Sequence, residues 1–245
     1  MSYTEAIIAA AGYGLRLKNK VSKPLIKIKG IPILIYALAA ITRHALIKEV
    51  IIVANQNNIR AIKAKIKQYR IAKIKDIVLG GRTRRISVEK GLKKVSERAD
   101  FVLIHDAVRP FIHQGIITQV IKEAGHSGAA IVGVPVKATI KKFKILPPKR
   151  HPAKCGKNSK FKIIEKTIDR SSLYEIQTPQ VFRRDLIVKA YKRFKDTDVS
   201  DDAALIEKLG VKVALVSGSY ENIKITTPED LALAEAIARK LKAKS

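Results

Sequence analysis

The sequence predicts an α/β fold built on a doubly wound, mostly parallel sheet. Short apolar runs alternate along the chain with longer segments in which apolar residues return at helical spacing. The chain has 245 residues, 47% of them hydrophobic, which is enough to bury the core of one α/β domain. No internal repeat breaks the alternation, and we therefore expect a single domain over residues 1–245.

The predicted strands are short runs rich in Ile, Val and Ala. In chain order they cover Glu5–Ala10, Val50–Ala54, Ile74–Leu79, Phe101–His105, Ala129–Val134 and Val211–Val216. Most of these runs are apolar at consecutive positions, which is typical of parallel strands covered by helices on both faces.

The predicted helices lie between and after these strands. They cover Ile33–His44, Ile59–Tyr69, Arg85–Val95, Ile116–Ala124, Arg183–Phe194, Asp201–Lys208 and Glu229–Lys242. In the second helix, apolar residues return every three or four positions and basic residues fill the gaps. Pro228 stands just before the last helix, and Thr227 is its expected cap.

One stretch departs from the alternation and predicts a projecting β-arm over about residues 137–170. Thr139–Lys144 and Phe161–Ile168 are predicted to be its two strands, and the segment between them is rich in Pro, Lys and Gly. Because projecting arms commonly dock on another subunit, we expect a homodimer formed through this arm.

The composition excludes several classes of protein. Cys155 is the single cysteine, so the chain has neither an intramolecular disulfide nor a thiolate cluster for zinc. The five histidines show no metal-ligand spacing. The apolar run at 6–11 is too short to span a membrane and lacks the basic start of a signal peptide. We expect a soluble, cytoplasmic protein without a membrane partner.

The formal net charge of +28 makes a nucleic-acid partner an alternative. The charge is spread thinly along amphipathic segments, which favours solvated helix faces over a binding stripe. A basic excess also suits a site for a triphosphate. A nucleic-acid binder without catalysis would show steep salt dependence, but it would leave the loop motifs described next without a role.

A glycine-rich turn, residues 9–17 (AAAGYGLRL), follows the first predicted strand. In a doubly wound sheet it lies at the carboxyl edge, where ligands bind, and glycines there let backbone N–H groups approach phosphate oxygens. Leu17 stands where a dinucleotide fingerprint has Gly or Ala, and the G-K-[ST] of a P-loop is missing. Arg16 and Lys23 follow the turn and can converge on a polyphosphate.

Further motifs follow in a fixed order: residues 80–88 (GGRTRRISV), 105–110 (HDAVRP), 135–139 (PVKAT), 167–170 (TIDR), 178–180 (TPQ), 200–203 (SDDA) and 221–226 (ENIKIT). With the glycine turn, this ordered set resembles the 2-C-methyl-D-erythritol 4-phosphate cytidylyltransferase family, from about residue 5 to residue 235. The resemblance implies a Rossmann-like nucleotidyltransferase sheet. It also implies transfer of CMP from CTP to 2-C-methyl-D-erythritol 4-phosphate, giving 4-diphosphocytidyl-2-C-methyl-D-erythritol and pyrophosphate in the non-mevalonate isoprenoid pathway.

The resemblance also assigns site residues. The catalytic cations would be Arg16, Lys23 and Lys224. The CTP site would comprise Ala10, Ala11, Gly12, Gly14, Gly81, Arg84, Ser87, Asp106 and Ala107. The acceptor site would comprise Asp106, Arg109, Thr139, Arg170, Thr178 and Lys224, with Arg170 and Thr178 reaching the acceptor phosphate from the partner subunit. Mg²⁺ is expected on the CTP phosphates, and no protein ligand is firmly assigned to it.

The implied reaction is a displacement at phosphorus in which the attacking phosphate is already an anion. It needs positioning and cations rather than a strong base or a covalent nucleophile. That agrees with the lack of a credible Cys/His or Ser/His pair in the sequence.

Several of the acidic, histidine and lysine residues in these motifs could instead have a purely structural role. Asp106 could simply pair with Arg109, and His105 is expected to pack or hydrogen-bond rather than act as a base. Asp201 and Asp202 stand at the start of a predicted helix, and their structural interpretation is that they simply cap it. Lys224 lies between two isoleucines, where an inward cation has no obvious structural purpose, which favours the functional interpretation.

Some positions depart from the commonest family pattern. Ala9 stands in place of a usual Pro, Pro24 follows Lys23 in place of a usual Gln, and Ala138 stands in place of a usual Asp. These changes leave the nucleotide chemistry intact but bear on the acceptor. A ribitol-5-phosphate cytidylyltransferase is the nearest alternative, because the motifs at 105–110 (HDAVRP) and 222–228 (NIKITTP) would serve it equally well. Arg170 in the predicted arm favours methylerythritol phosphate over it.

Overall fold

A computed structural model of the chain describes residues 2–12, 22–146, 161–197 and 199–242. The chain forms two compact units. The larger consists of Met1–Gly133 together with Gln177–Ser245, and the smaller of Val134–Ile176.

The strands are β1 (Thr4–Ala9), β2 (Lys27–Ile28), β3 (Ile31–Pro32), β4 (Ile47–Ala54), β5 (Ile74–Leu79), β6 (Phe101–Asp106), β7 (Ala129–Pro135), β8 (Ile140–Leu146), β9 (Phe161–Ile168), β10 (Tyr174–Arg183) and β11 (Ala214–Ser217). The helices are α1 (Ile33–Arg43), α2 (Ile59–Gln68), α3 (Arg84–Leu92), α4 (Gln114–Ser127), α5 (Arg184–Arg193), α6 (Ala203–Lys208) and α7 (Pro228–Lys242). Every predicted helix and strand is confirmed in kind, with ends that differ by up to three residues.

Seven strands form the central sheet in the order β11-β7-β10-β6-β1-β4-β5. β1 pairs in parallel with β4 on one side and with β6 on the other, so Ala9 lies between Val53 and Asp106. β5 and β11 add further parallel pairs at the two ends of the sheet. The carboxyl ends of β1, β4 and β6 therefore meet at one edge, as the doubly wound fold predicts.

Neighbouring residues of a strand point to opposite faces of the sheet, and both sets are apolar in the buried strands. Helices therefore cover the sheet on both faces. Ala6 and Ile8 of β1 pack with α1, α2 and α4, while Ile7 between them packs with α3, α5 and α6. A smaller apolar cluster joins α7 to the β2–β3 hairpin. The tight turn of that hairpin ends at Gly30, whose φ of 83° suits glycine.

One strand of the central sheet and the separate two-stranded sheet formed by β2 and β3 were not predicted. β10 lies between β7 and β6 and runs antiparallel to β6, although residues 174–183 carry no continuous apolar pattern. The two-residue strands β2 and β3 were also missed, because they are too short to show a period.

The last helix begins where the sequence predicts. α7 starts at Pro228, and the Thr227 hydroxyl accepts a 3.4 Å hydrogen bond from the backbone N–H of Asp230. No helix among the described residues is both long and apolar enough to cross a membrane.

The smaller unit contains the predicted arm strands. β8 and β9 pair antiparallel from Ile140 opposite Ile168 to Leu146 opposite Phe161, with one irregularity after Lys142. The tip of the predicted arm, residues 147–160, lies outside the described residues. The pairing of the two arm strands is thus confirmed, and the assignment of residues 1–245 to one domain stays a prediction.

Candidate active site

A cavity of about 520 Å³ opens at the carboxyl edge of the sheet, within the larger unit. The described residues that line it come from the ends of β1 and β6 and the residues just after them, from the loop before α3 and the first turn of α3, from the short helix Lys23–Leu25 and from the segment before α7. They are Ala9, Ala10, Ala11, Gly12, Lys23, Pro24, Gly81, Arg82, Thr83, Arg84, Ser87, Asp106, Val108, Lys224 and Thr226. The cavity thus gathers most of the predicted CTP-site residues in one place.

The start of the glycine turn is held in position from the loop between β4 and α2. The side-chain amide of Asn58 donates to the carbonyl of Ala10 at 2.9 Å, and that of Asn55 donates to the carbonyl of Ala11 at 3.0 Å. Asn58 also donates to the Ser22 hydroxyl at 2.9 Å, across the far end of the loop. Both amides are buried, so the backbone of Ala10 and Ala11, which leads to Gly12 at the cavity, is held in place.

Two predicted residues of this turn fall outside the described part of the chain. Gly14 and Arg16 lie within residues 13–21. Their assignments to the triphosphate and to catalysis stay predictions.

A second wall is formed by the loop at residues 80–83 and the first turn of α3, together called the 80–87 turn. The Ser87 hydroxyl donates to the carbonyl of Thr83 at 2.9 Å and accepts from the N–H of Gly81 at 3.1 Å. A Cβ on Gly80 would lie 2.6 Å from the Ser87 hydroxyl and 2.7 Å from the Cβ of Ala11. Only glycine lets the two turns approach this closely.

Asp106, the last residue of β6, lies among three cations at the inner end of the cavity. Its Oδ2 is 2.7 Å from Nζ of Lys224 and 3.9 Å from Nε of Arg109, and its Oδ1 is 3.2 Å from Nε of Arg84. Burial alone would raise the pKa of the Asp106 carboxyl, but the charges of Arg84 and Lys224 hold that pKa well below its usual range. Asp106 is therefore ionised at neutral pH.

The opposite effect acts on Arg84. Burial would lower the pKa of its guanidinium, whereas the carboxylates of Asp202 and Asp106 raise it further above the usual value. Nη1 of Arg84 lies 2.7 Å from Oδ2 of Asp202. The guanidinium is thus shared between one carboxylate in the cavity wall and one behind it.

Residues behind the wall fix the end of β6. The Thr178 hydroxyl accepts from the N–H of Asp106 and bonds to Nδ1 of His105, both at 3.0 Å, and Arg109 donates to the carbonyl of Asn222 at 2.8 Å. Burial lowers the pKa of His105 to about 4, so its imidazole is neutral near pH 7. His105 is a hydrogen-bonding residue, as expected from the sequence.

The remaining predicted residues of the larger unit line the cavity or support it. Nζ of Lys23 donates to the carbonyl of Thr226 at 3.1 Å, at the cavity wall. The N–H of Ala107 donates to the carbonyl of Ala9 at 3.1 Å and joins the ends of β6 and β1.

Thr139 and Arg170 belong to the smaller unit, where both are exposed. Arg170 donates to the carbonyl of Lys137 within that unit. Their assignment to the acceptor phosphate stays a prediction, as does that of Thr178.

The sequence reasoning missed several supporting residues. Asn55 and Asn58 could have been noticed as a polar cluster directly after an apolar strand, at the edge where ligands bind. Asp202 was interpreted as a cap, and this is wrong, because its side chain makes no capping bond. Asp201 does cap α6, accepting from the N–H of Ala204 at 3.2 Å.

The described residues hold no cluster of three or more His, Cys, Asp or Glu side chains that could bind a metal. The Asp106 oxygens are occupied by Arg84 and Lys224. The donor set of the described residues therefore does not fit a metal held by the protein itself.

A mostly parallel sheet with glycine turns and converging cations at its carboxyl edge is the arrangement of a Rossmann-like nucleotidyltransferase. Comparisons with known proteins narrow this class. A sequence model of the family described as IspD, 2-C-methyl-D-erythritol 4-phosphate cytidylyltransferase, matches residues 4–240. The chain belongs to this family.

Named relatives agree with the match. The 2-C-methyl-D-erythritol 4-phosphate cytidylyltransferase of Alkaliphilus metalliredigens is 39% identical, over 98% of this chain and 95% of that protein. The protein of the same name from Syntrophus aciditrophicus is 40% identical, over 96% and 95%. The crystal structure of 4-diphosphocytidyl-2C-methyl-D-erythritol synthase from Anaerococcus prevotii superposes with a TM-score of 0.80 at 32% identity, covering 97% of this chain and 96% of that one.

Proposed function

We propose that this protein transfers the cytidylyl group of CTP to 2-C-methyl-D-erythritol 4-phosphate and releases pyrophosphate, a step of the non-mevalonate isoprenoid pathway. Membership of the family supports the reaction. The observation that carries the proposal is the convergence of Lys23, Arg84 and Lys224 on a cavity walled by two glycine turns. Such a cavity suits a nucleoside triphosphate and a second phosphate.

In this reaction an oxygen of the acceptor phosphate forms a bond to the α-phosphorus of CTP, and the bond from that phosphorus to the bridging oxygen breaks as pyrophosphate leaves. The attacking oxygen carries no proton that must be removed, so no general base is needed. Lys23 and Lys224 would neutralise charge on the phosphates as they approach and separate. Their ammonium groups are the chain's main contribution to the chemical step among the described residues.

Asp106 has a different part in the proposal. As an ionised carboxylate it can accept hydrogen bonds from polyol hydroxyls, and it holds the Lys224 ammonium 2.7 Å away at the inner end of the cavity. The cytosine would lie against the 80–87 turn, where backbone groups and the Ser87 hydroxyl offer donors and acceptors at fixed spacing. Neutral His105, behind the wall, would take no proton.

Mg²⁺ enters the proposal as a companion of CTP rather than as a resident ion of the protein. A hard divalent ion is the usual partner of a nucleoside triphosphate. The carboxylate nearest to the cavity is already paired with cations, so the phosphates themselves would supply the ligands.

The proposal also includes a homodimer and a cytoplasmic location. The β8–β9 hairpin exposes several large apolar side chains, Phe143 at 48%, Ile145 at 57%, Ile163 at 53% and Ile164 at 61%. Phe143 is paired with Ile164 and lies two positions from Ile145, so these three side chains share one face of the hairpin, and Ile163 lies on the other. An exposed apolar cluster of this kind suits a subunit interface. Sedimentation analysis of the purified chain would test the dimer, since a monomer at micromolar concentration would contradict it.

The experiment that tests the activity is pyrophosphate release from CTP and Mg²⁺ with methylerythritol 4-phosphate, ribitol 5-phosphate or no acceptor in parallel. We expect release with the first acceptor alone. Release with ribitol 5-phosphate alone would retain the cytidylyl transfer and overturn the acceptor. A folded chain that is silent with both would overturn the activity.

A further inference from the structure

The wall of the cavity at Arg84 is supported by a buried network from outside the cavity. Arg84 lines the cavity, whereas Asp202, whose carboxylate lies 2.7 Å from Nη1 of Arg84, is not one of the described lining residues. Asp202 is 1% exposed. A buried carboxylate at this distance restricts where the guanidinium can lie.

Asp202 is itself held from several sides. The Tyr191 hydroxyl, on α5, donates to its Oδ1. The Gln180 side-chain carbonyl accepts from the backbone N–H groups of Asp202 and Ala203 at 3.2 and 3.3 Å. Helix α5 therefore holds the carboxylate of Asp202 and strand β10 holds its backbone, although neither element contributes a residue to the described lining of the cavity.

A second arginine ties the same turn of α3 to α5. Nη2 of Arg85 donates to the carbonyls of Tyr191 and Phe194 at 3.3 and 3.1 Å, and its guanidinium carbon lies 5.4 Å from the centre of the Tyr191 ring. The two arginines at the start of α3 thus anchor the 80–87 turn to one face of the protein.

The charges explain why this support bears on ligand binding. Without the negative charge of Asp202, Asp106 would be the remaining carboxylate that the structure places beside Arg84, and the guanidinium would shift towards it. Asp106 keeps Lys224 in either case, because that contact involves its other oxygen. Removing the charge of Asp202 would therefore move Arg84 and the 80–87 turn, while the contact between Lys224 and Asp106 would change less.

We propose that Asp202, held by Tyr191, is a positioning residue that fixes Arg84 and the 80–87 turn for nucleotide binding. This inference rests on the proposed function, in that the nucleotide is CTP. It extends the site beyond its lining residues, to the junction before α6. It assigns to Asp202 a role in CTP affinity rather than in the chemical step or in acceptor binding.

Asp202→Asn tests this, with Asp201→Asn as a matched control. Asp201 lies in the same loop and accepts from Gln180 at 2.7 Å, but it has no contact with Arg84 among the described pairs. We expect Asp202→Asn to raise the Kd of CTP, measured by calorimetry without acceptor, about tenfold. In turnover the KM for CTP should rise to match, with the KM for the acceptor within twofold of the wild type. Asp201→Asn should stay within twofold throughout.

Tyr191→Phe keeps the ring against Arg85 and removes only the hydroxyl, so it serves even if Asp202→Asn does not fold. We expect it to raise the Kd of CTP about threefold. Equal effects of Asp201→Asn and Asp202→Asn, or unchanged CTP affinity in Asp202→Asn and Tyr191→Phe, would overturn the inference.

Crystal structures of the two Asn variants give a readout that does not depend on CTP. The Arg84 guanidinium should move in Asp202→Asn and stay in Asp201→Asn, and an unmoved guanidinium in Asp202→Asn would overturn the inference. A wild-type chain that fails to bind CTP would contradict the proposed function, while these structures would still decide the positioning role.

Discussion

Two buried carboxylates lie at opposite ends of the central strands, and the charge around them differs. Glu5, at the start of β1, is fully buried, lies 3.0 Å from Nζ of Lys75 and accepts from the N–H of Ser96 at 3.1 Å. Lys75 also lies 2.8 Å from Glu49, so two carboxylates share one ammonium there. Asp106, at the end of β6, instead has three cations within 4 Å.

The difference separates a structural ion cluster from a binding site. At the amino end the negative charges exceed the positive one, and the side chains satisfy each other inside the fold. At the carboxyl end positive charge is in excess and faces an open cavity, so an anionic ligand can complete the arrangement. Burial and an ion pair are common to both ends, and charge balance and access to the cavity distinguish them.

The largest expected effect is the loss of an excess cation at the carboxyl end. Lys224→Ala should lower kcat/KM for cytidylyl transfer about 10³-fold, or about 4 kcal/mol of transition-state stabilisation. The melting temperature of this variant should change little, because the Lys224 side chain is 42% exposed and Arg84 still pairs with Asp106. Steady-state kinetics and thermal unfolding check both parts, and a large loss of stability with normal turnover would remove the distinction between the two ends.

The reverse result is expected at the amino end. Lys75→Met should lower the free energy of unfolding by about 3 kcal/mol, since it leaves the Glu5 carboxylate buried without its cation. Turnover per folded molecule should remain within twofold of the wild type. Urea denaturation measures the first quantity, and restoring stability with Glu5→Gln in the same chain would identify the ion pair as the cause.

Mild acid is expected to lower the stability of the fold through His105, which lies at the carboxyl end of the strands. Its pKa of about 4 in the folded chain lies below the value of about 6.5 expected after unfolding, so below pH 6.5 the unfolded chain binds a proton that the folded chain does not. Stability from this group is complete above pH 6.5 and falls by about 2 kcal/mol by pH 5. Denaturation of the wild type and of His105→Gln at the two pH values gives this difference, and NMR should show a neutral imidazole at pH 5.

A smaller effect is expected where the two turns meet. Gly80→Ala places a Cβ 2.6 Å from the Ser87 hydroxyl and should cost about 1.5 kcal/mol of stability while raising the KM for CTP. Gly115→Ala, in α4, has nothing within 4 Å of the added carbon and should be neutral or slightly stabilising. Equal stability and equal KM values in the two variants would show that the close approach of the turns does not matter.

Local patterns in the sequence predict most of the elements and the edge at which ligands bind. β1, β4 and β6 are apolar at consecutive positions because helices cover both of their faces, and a short local window shows this pattern. The glycine turn and Asp106 directly follow or end such strands, so their place at the carboxyl edge follows from the fold class. The position of Lys224 between two isoleucines favoured the functional interpretation that the family resemblance had assigned to it.

Which distant groups meet depends on the tertiary structure. Strand β10 is held by pairing with β6, and its own residues show no strand period. Asp202 meets Arg84 across 118 positions, and Asn58 meets Ala10 across 48. Local patterns reflect periods of two or 3.6 residues, which near neighbours fix. Partners for buried charges and amides depend on how the whole chain closes, and that closure gives the site its geometry.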